Sequence, residues 1–447
     1  MVSRYQPSLI TRVAHALFLC AALAFSIHLL QGALPEYLPR DWQSAHESDA
    51  LSDWKAARLF NTGTTPFSQV GLRRMNEAAM GHPPTTSFWY LPITGFAKGL
   101  TAELTSLTVW FLLIPHFYLC LKALRWPAPM AVSMLGVSMV LSTTWLMYHF
   151  QVIQWSEHMA FLYVLGWLFL RRGQDVRAGM CLGAAATIKL FPGLMIVFLL
   201  LARRWRACFA ASVTYLGIAW FMTRDYGLDS WSFFVKQQEA ISKDWICSLQ
   251  NSSLYGTVTQ ILSPFCTDST KPTKAATVIT LLGSIALVVL ATWQSKAHLK
   301  RARETNLQAI DLPYALFALL SVYLNAWVWE HYYVFTLQPL FVLITAFGTT
   351  WRSCLRDWCD GIQSTGKLIL VASTTILASL GLGLSVYSLY VDSWAKTHLV
   401  AYWRTTHDPY VHLRAHLIDA LNFVPWVVPI LLCLLALAVT RRVRVAD

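Results

Sequence analysis

Charged side chains are scarce in this sequence. Only 13% of its 447 residues are Asp, Glu, Lys or Arg, whereas 56% are hydrophobic. Soluble globular domains carry about 25% charged residues. A deficit of this size over the whole chain excludes an ordinary soluble protein and predicts an all-α polytopic membrane protein.

Acidic residues are scarcer than basic ones, with 23 Asp and Glu against 35 Lys and Arg, and the net charge is +12. A basic chain can bind nucleic acid, but here the Lys and Arg residues stand in short clusters between apolar runs. That arrangement is the positive-inside pattern of membrane proteins. We therefore expect membrane lipids as partners and no nucleic acid.

Motifs for nucleotides and metals are missing as well. The sequence has no GxxxxGK[ST] loop, no acidic pair of the DxD type stands out, and the nine cysteines show neither CxxC nor Cys/His spacing. These absences argue against chemistry on a soluble nucleotide and against a zinc site, and we expect no metal. Cys247 and Cys266 lie in a polar loop expected on the oxidising side, where they could form a disulfide or remain thiols.

Long apolar runs are what the sequence has in abundance. A bilayer-spanning helix needs about 20 apolar residues, and candidate spans are 13–30, 104–123, 130–148, 155–170, 207–222, 275–294, 311–329, 333–349, 367–390 and 424–440. The first span follows a basic N-terminus without a clear cleavage site, so we interpret it as a retained signal anchor. The pattern predicts one integral-membrane domain, 1–447, with about 10–13 transmembrane or half-membrane helices.

The basic clusters orient these helices. They comprise Arg4 and Arg12; Lys122 and Arg125; Arg171, Arg172 and Arg177; Arg203, Arg204 and Arg206; residues 296–303; Arg352 and Arg356; and Arg441, Arg442 and Arg444. The positive-inside rule places them all on the cytoplasmic face. Three large loops then lie on the outer, periplasmic face, at 31–84, 223–274 and 391–423, together with short turns at 148–154 and 329–332.

Two apolar segments do not fit a simple crossing. Residues 85–100 are short and contain Pro92, and a full crossing would move every later basic cluster to the outside, so we predict a re-entrant or interfacial helix. Residues 178–202 have basic clusters at both ends. We therefore predict two short helices that bend between Lys189 and Pro192, because proline interrupts the helical hydrogen bonds.

The first outer loop concentrates acidic residues between two apolar segments. It contains Asp41, Glu47, Asp49 and Asp53. If the stretch is helical, Asp49 and Asp53 stand four residues apart on one face, and two close carboxylates would make one of them a stronger base. The alternative is a solvated acidic loop in which Asp and Ser cap a helix.

Several short motifs occur in an order that resembles a known family. The first loop contains Asp49, Trp54, Ala56-Ala57-Arg58, Gly63, Pro66-Phe67 and His82-Pro83-Pro84-Thr85. Later motifs are Gln151, Ala178-Gly179, Ile188-Lys189-Leu190-Phe191-Pro192, Asn251-Ser252-Ser253-Leu254 and Trp329-Glu330-His331. In these motifs, over about residues 10–350, the chain resembles glycosyltransferase family 87, the polyprenyl-phosphate-mannose-dependent mannosyltransferases, which are membrane enzymes of the GT-C type.

The chain departs from the family pattern at three places. A proline that usually precedes the Trp-acid-His motif is missing from residues 325–328, and the second histidine of that motif is Tyr332. The position four residues after the key aspartate, commonly aromatic, is Asp53. These departures bear on the sugar and the pocket more than on the fold.

The resemblance implies an inverting glycosyltransferase. Its substrates would be a polyprenyl-phosphate sugar donor, with mannose as the sugar or arabinofuranose as in some relatives, and a hydroxyl of a glycolipid or glycan acceptor. It would lie in the bacterial inner membrane, with its active site facing the periplasm, and would need no cofactor. An in-line displacement needs a carboxylate that takes the hydroxyl proton and cations that hold the leaving phosphate. The catalytic aspartate of the family aligns with Asp49, and Asp53 is the alternative by spacing.

Ionisable residues at a membrane boundary are costly unless they are paired or functional. His331 could contact the donor phosphate or sugar, with Glu330 orienting it, or the two could anchor the chain at the headgroups. Lys189 could clamp the donor phosphate. If its helical hairpin is shallow, Lys189 would instead extend to the cytoplasmic headgroups.

The remaining candidates for substrate binding each have a structural alternative. Gln151 and Glu157 stand at the outer end of one helix, where Glu157 could instead form a buried pair with a His or Arg. Asn251 and Ser253 suit hydrogen bonds to a hydroxyl or phosphate, or caps within their loop.

Three further candidates belong to the family-like motifs of the first loop. Trp54 could stack on a sugar face, although most tryptophans near helix ends form the interfacial belt. Arg58 and His82 complete the set.

Two other functions compete with an enzyme. A secondary transporter or a flippase of a lipid-linked sugar would carry ionisable residues near the midplane and often inverted repeats. Here the helix centres are nearly free of charge except for Lys189, and no repeat is visible. A non-catalytic scaffold would leave the ordered polar motifs unexplained, so the pattern favours an interfacial enzyme.

Overall fold

A computed structural model describes residues 49–60, 62–75, 81–126, 128–141, 153–245, 251–262, 274–326, 328, 330–359 and 424–443, together with Cys20 and Leu23. All regular secondary structure in these ranges is helical, which confirms the all-α prediction. The α-helices are α1 Asp49–Phe60, α2 Gln69–Met75, α3 Lys98–Ala123, α4 Pro129–Leu141, α5 Ser156–Arg171, α6 Asp175–Ile188, α7 Gly193–Leu201, α8 Trp205–Tyr226, α9 Asp229–Trp245, α10 Leu254–Leu262, α11 Lys274–Glu304, α12 Asp311–Tyr323, α13 Leu337–Cys359 and α14 Val424–Val443. Short 3-10 helices cover Pro84–Ile93, Leu307–Ile310 and Glu330–Thr336.

Three segments of the described chain are long and apolar enough to cross a membrane, namely Lys98–Ala123, Lys274–Glu304 and His331–Thr350. In α11 the most apolar stretch is only 11% buried, and side chains such as Leu281, Ile285 and Val289 are exposed. In water such a surface would be unstable, whereas lipid tails cover it without cost. The chain is a polytopic membrane protein.

Most predicted spans coincide with helices, although one boundary differs. The span 311–329 is too long, because α12 ends at Tyr323 and the chain then turns to bring the backbone of residues 326 and 328 against Asn251. The span 333–349 lies within the apolar segment His331–Thr350, in which the 3-10 helix Glu330–Thr336 leads directly into α13. The spans 13–30 and 367–390 lie outside the described residues, apart from Cys20 and Leu23.

The two segments that did not fit a simple crossing, 85–100 and 178–202, both depart from a continuous α-helix. Helices α6 and α7 are separated at residues 189–192, as predicted, with the Lys189 backbone extended and Pro192 preceding α7. The segment 85–100, predicted as a re-entrant or interfacial helix, is not one continuous α-helix: it contains most of the 3-10 helix Pro84–Ile93, in which Pro92 supplies no N–H donor, and the first residues of α3. Its position relative to the membrane stays a prediction.

Small residues allow α6 and α8 to approach closely. A methyl group on Gly179 would overlap the carbonyl oxygen of Ala207, and one on Gly183 would overlap that of Ala211. Gly179 and Gly183 stand four residues apart on α6, as Ala207 and Ala211 do on α8, so two stripes of small residues face each other. This is the usual way in which membrane helices gain packing contacts.

The described part of the segment predicted as the first outer loop contains the helices α1 and α2. Ala56 of α1 and Leu72 of α2 share a buried apolar cluster with Met222 and Tyr226 of α8. The Tyr226 hydroxyl donates to the Ala56 carbonyl oxygen at 3.0 Å. Burial raises the pKa of Tyr226, which keeps the phenol protonated as a donor. The loop is therefore attached to the end of a membrane helix.

Arginines join the helices at one end of the bundle, which we call the basic end. Arg171 donates to the carbonyl oxygen of Ala123 at 2.6 Å and pairs with Asp311 at 3.1 Å. Arg204 donates to the carbonyl oxygen of Ala302 at 3.0 Å and pairs with Asp175 at 3.6 Å. The basic clusters near residues 122, 171, 204 and 301 thus meet at one end, although its cytoplasmic location stays a prediction.

Candidate functional site

Polar segments from distant parts of the chain meet at the opposite end, which we call the site end. The hydroxyls of Thr85 and Thr86 donate to the carbonyl oxygens of Thr187 and Ile188 at 2.6 and 2.7 Å. These carbonyls lie in the last turn of α6, where the main chain has no helical donor left. The contacts attach the His82-Pro83-Pro84 segment to the chain just before Lys189.

Helix α1 presents the acidic residues of the first loop. It begins at Asp49 and includes Asp53, so the two positions lie one turn apart on one helix face, as predicted. Asp53 is buried and its Oδ2 lies 2.7 Å from His82 Nδ1. Because a carboxylate only accepts, the imidazole Nδ1 carries the shared proton. This hydrogen bond attaches α1 to the segment that contacts α6.

Trp54 and Arg58 occupy the same helix. Trp54 is 3% exposed, its Nε1 donates to the Ile93 carbonyl oxygen at 3.3 Å, and the Arg58 guanidinium lies 4.9 Å above its ring. A buried ring that is covered by a cation offers no free face to a sugar. The geometry therefore favours a packing role for Trp54, while Arg58 is exposed.

Lys189 has two described polar partners. Its Nζ donates to Gln154 Oε1 at 3.1 Å and to the Tyr332 hydroxyl at 2.7 Å, and it lies 4.9 Å from the centre of the Tyr332 ring. The residue follows α6 at the end away from Arg171 and Arg204. Lys189 and the basic end therefore lie at opposite ends of α6, and whether Lys189 reaches headgroups or a donor phosphate stays a prediction.

His331 lies beside Tyr332, the residue whose hydroxyl accepts from Lys189. It is 4% exposed, and its ring centre is 4.4 Å from that of Tyr332. Phe191 contacts Tyr332 and Phe335 through edge-on ring contacts at 5.4 and 5.5 Å. The 3-10 helix Glu330–Thr336 thus packs against the break between α6 and α7, and aromatic rings surround the polar groups.

Asn251 and Ser253 hold the backbone of the chain at the site end. Asn251 Nδ2 donates to the Ala326 carbonyl oxygen at 3.0 Å, and its Oδ1 accepts from the Val328 amide at 3.0 Å. Ser253 Oγ donates to the same Ala326 oxygen and accepts from the Gly256 amide, both at 3.0 Å, which is a helix N-cap for α10. These contacts favour the capping alternative for both residues.

Glu157 is fully buried and its Oε1 lies 2.9 Å from His116 Nδ1. This is the buried Glu–His pair that was the structural alternative for Glu157, and the partner comes from α3. The pair joins α3 to α5 within the bundle. Contact of Glu157 with a substrate stays a prediction.

Several predicted residues are described in part or not at all. Asp49 and Glu330 are placed as helical backbone positions only. Gln151, Cys247 and Cys266 lie outside the described residues, as does the loop 391–423. Roles that depend on these side chains remain predictions.

Three residues at these contacts were not among the sequence candidates. Gln154 and Tyr332 hold Lys189, and His116 pairs with Glu157. Tyr332 had a signal, because it replaces the second histidine of the family motif. Gln154 and His116 had none, since a single glutamine or histidine in an apolar sequence does not identify its partner.

The site end combines groups that displacement of a phosphate requires. A helix with two carboxylate positions, an ammonium group and an imidazole are joined through the contacts of Thr85, Thr86 and Tyr332. A carboxylate can take a proton, and the cations can stabilise a leaving phosphate. Within the described residues no three His, Cys, Asp or Glu side chains form a metal-binding group, and metal independence stays an expectation.

One comparison with known proteins identifies a family. The family model of glycosyltransferase family 87 matches residues 81–321, more than half of the chain. The matched region includes His82, Lys189 and Asn251, whereas Asp49 and Glu330 lie outside it. Comparison with curated proteins and comparison with solved structures gave no match. From the extent of the family match, this chain belongs to glycosyltransferase family 87.

Proposed function

We propose that the protein is an inverting glycosyltransferase of the GT-C type that transfers mannose from a polyprenyl phosphate to a hydroxyl of a glycolipid or glycan. The reaction would occur at the periplasmic face of the bacterial inner membrane. The observation that carries the proposal is the attachment of α1, through the segment 82–86, to the chain next to Lys189. This attachment supports the proposal, because it brings the helix that begins at Asp49 to the same end of the bundle as Lys189.

The roles follow from charge and position. Asp49 takes the proton of the acceptor hydroxyl as the hydroxyl oxygen attacks the anomeric carbon. The bond from this carbon to the donor phosphate oxygen breaks on the opposite face, which inverts the configuration, and the polyprenyl phosphate leaves as an anion. The ammonium group of Lys189 and the imidazole of His331 stabilise this anion.

The contacts around Lys189 support its role. Gln154 and Tyr332 offer only neutral oxygens to the ammonium group. Neither of these two described partners is an anion, which supports a role for Lys189 in binding a phosphate. A structural ion pair with a carboxylate would have removed this capacity.

A transfer assay tests the proposal. The purified protein in nanodiscs would be incubated with a radiolabelled short-chain polyprenyl-phosphate mannose and a mixed extract of host glycolipids. We expect transfer by the wild type and a loss of at least about 100-fold in Asp49→Asn, the usual contribution of a general base.

Matched variants separate the roles. Lys189→Gln should raise the donor KM or lower kcat, whereas Arg177→Gln, on the basic end, should leave both unchanged. Equal transfer by wild type and Asp49→Asn would place the base elsewhere, with Asp53 as the next candidate. Movement of the donor across the bilayer without transfer to any acceptor would refute the enzyme and favour a flippase.

A further inference from the structure

A cavity of about 300 Å³ lies at the basic end, away from the candidate site. Its lining includes Arg125, Arg171, His298, Asn306, Gln308 and Asp311. The volume is at the lower limit of known ligand pockets, about 300–1,000 Å³, and is sufficient for a phosphate group with a small substituent. The transfer reaction uses none of these residues.

The charges that line the cavity leave a positive excess. Asp311 is held by Arg171 at 3.1 Å and by the Trp167 Nε1 donor at 2.9 Å. Its carboxylate is therefore neutralised within the wall. Arg125 forms no ion pair in the described part of the chain and is exposed at the rim. One guanidinium charge is thus available to a ligand.

Donors other than Arg125 also remain on the wall. A guanidinium has five N–H donors, and the described contacts of Arg171 engage only some of them. Asn306 Oδ1 accepts from the Gln308 amide at 2.9 Å, which identifies its other terminal atom as the NH2 donor. Guanidinium and amide donors around a concave surface match the several acceptor oxygens of a phosphate.

The backbone presents Arg125 in an unusual conformation. Its φ is +60°, in the left-handed region that side chains other than glycine seldom adopt. The turn is held by the Trp126 amide, which donates to the Leu121 carbonyl oxygen at 2.9 Å, and by Trp126 Nε1, which donates to Thr345 Oγ1 at 2.8 Å. The surrounding contacts thus fix the position of Arg125 at the mouth of the cavity.

We propose that this cavity binds the phosphate of an anionic ligand, with Arg125 and Arg171 as the recognising groups. The basic clusters near residues 122, 171, 204 and 301 share this end of the bundle, and basic pockets between membrane helices are typical sites for anionic headgroups. An anionic phospholipid and a soluble phosphate both carry this chemistry. The site is independent of sugar transfer, because it lies at the other end of the bundle.

Titrations of the full-length protein in detergent test the site. The three titrants are a short-chain phosphatidylglycerol, the matching phosphatidylcholine and inorganic phosphate, and the readout is the midpoint of thermal unfolding. We expect saturable stabilisation by phosphatidylglycerol, or by inorganic phosphate if the ligand is soluble, and little by the zwitterionic lipid. Arg125→Gln should weaken the apparent affinity about tenfold, as expected for one lost charge-assisted hydrogen bond.

Two controls make the result decisive. Arg125→Lys keeps the charge and should retain most of the affinity, while Arg177→Gln removes one exposed charge from the basic end outside the cavity and should behave as wild type. Equal losses in Arg125→Gln and Arg177→Gln would overturn the proposal in favour of diffuse surface charge. Equal stabilisation by the two lipids, without an effect of inorganic phosphate, would also overturn it.

Discussion

The buried pair of Asp53 and His82 is expected to stabilise the docking of α1, and a double-mutant cycle measures this contribution. The two side chains are 1% and 6% exposed, and their atoms are 2.7 Å apart. His82→Leu leaves a buried carboxylate without this partner, which typically costs about 3–5 kcal/mol. Asp53→Asn keeps the shape but loses a charge-assisted hydrogen bond, which costs about 1.5–3 kcal/mol.

The cycle predicts non-additive losses. In the double variant the second substitution removes a group that has already lost its partner, so the sum of the single losses should exceed the double loss by about 2 kcal/mol. Unfolding in mixed micelles of increasing sodium dodecyl sulfate content gives the free energies. Asp49→Asn is the matched control. It removes a carboxylate one turn away, in the first helical turn, where a negative charge contributes about 0.3–1 kcal/mol.

The transfer activity of the folded variants distinguishes a positioning role of Asp53 from a catalytic one. If Asp53 positions α1 and Asp49 is the base, folded Asp53→Asn retains partial transfer while Asp49→Asn loses nearly all. A coupling energy below about 0.5 kcal/mol would refute the structural role of the pair. Complete loss of transfer in a stable Asp53→Asn protein, with activity in Asp49→Asn, would identify Asp53 as the base.

Three further predictions follow from individual contacts. Gly183→Ala should destabilise the protein by about 1–3 kcal/mol, because the new methyl group overlaps the Ala211 backbone. Gly217→Ala is the control, because a methyl group at this position meets no atom within 4 Å, and it should be neutral or stabilising by up to about 1 kcal/mol. Opposite signs of the two changes in the free energy of unfolding would verify the close packing of α6 against α8. Tyr332→Phe keeps the ring but removes an acceptor of Lys189, so we expect a several-fold change in the donor KM with little loss of stability, and an unchanged KM would separate Tyr332 from donor binding. Ser253→Ala should cost about 1 kcal/mol as a lost helix cap, with normal kinetics per folded molecule, whereas a raised KM in a fully stable variant would favour substrate binding.

Local patterns in the sequence predicted the helices well. Apolar runs of about 20 residues have few stable arrangements other than a membrane helix, and α3, α5, α8 and α11 lie where such runs predicted them. Pro192 marked the break between α6 and α7, because proline lacks an N–H donor and its ring crowds the preceding turn, although α3 and α14 continue through Pro115 and Pro429. The 3-10 form of Pro84–Ile93 was not predicted, because the choice between helix types depends on which carbonyls find donors elsewhere.

The candidate site was predicted only in part. The residue types and their order indicated Asp49, Lys189 and the segment at His82, and the structure attaches the latter two segments to each other. The sequence left open whether Asp53 acts with Asp49 or belongs to a solvated acidic loop, and the structure adds a partner 29 residues away that neither alternative included. A spacing of four residues is visible in one helix, but a contact between two segments depends on how both are packed.

By itself, therefore, the sequence determined that this is an all-α membrane protein, the rough limits of several of its helices, and its family motifs, since hydrophobicity and proline act over a few residues. The tertiary structure decided which polar groups pair. Trp54 is a buried side chain, Asn251 binds the backbone of residues 326 and 328, and Glu157 pairs with His116. Each outcome depends on the approach and rotation of whole helices, and these are set by packing contacts such as those of Gly179 and Gly183 across the bundle.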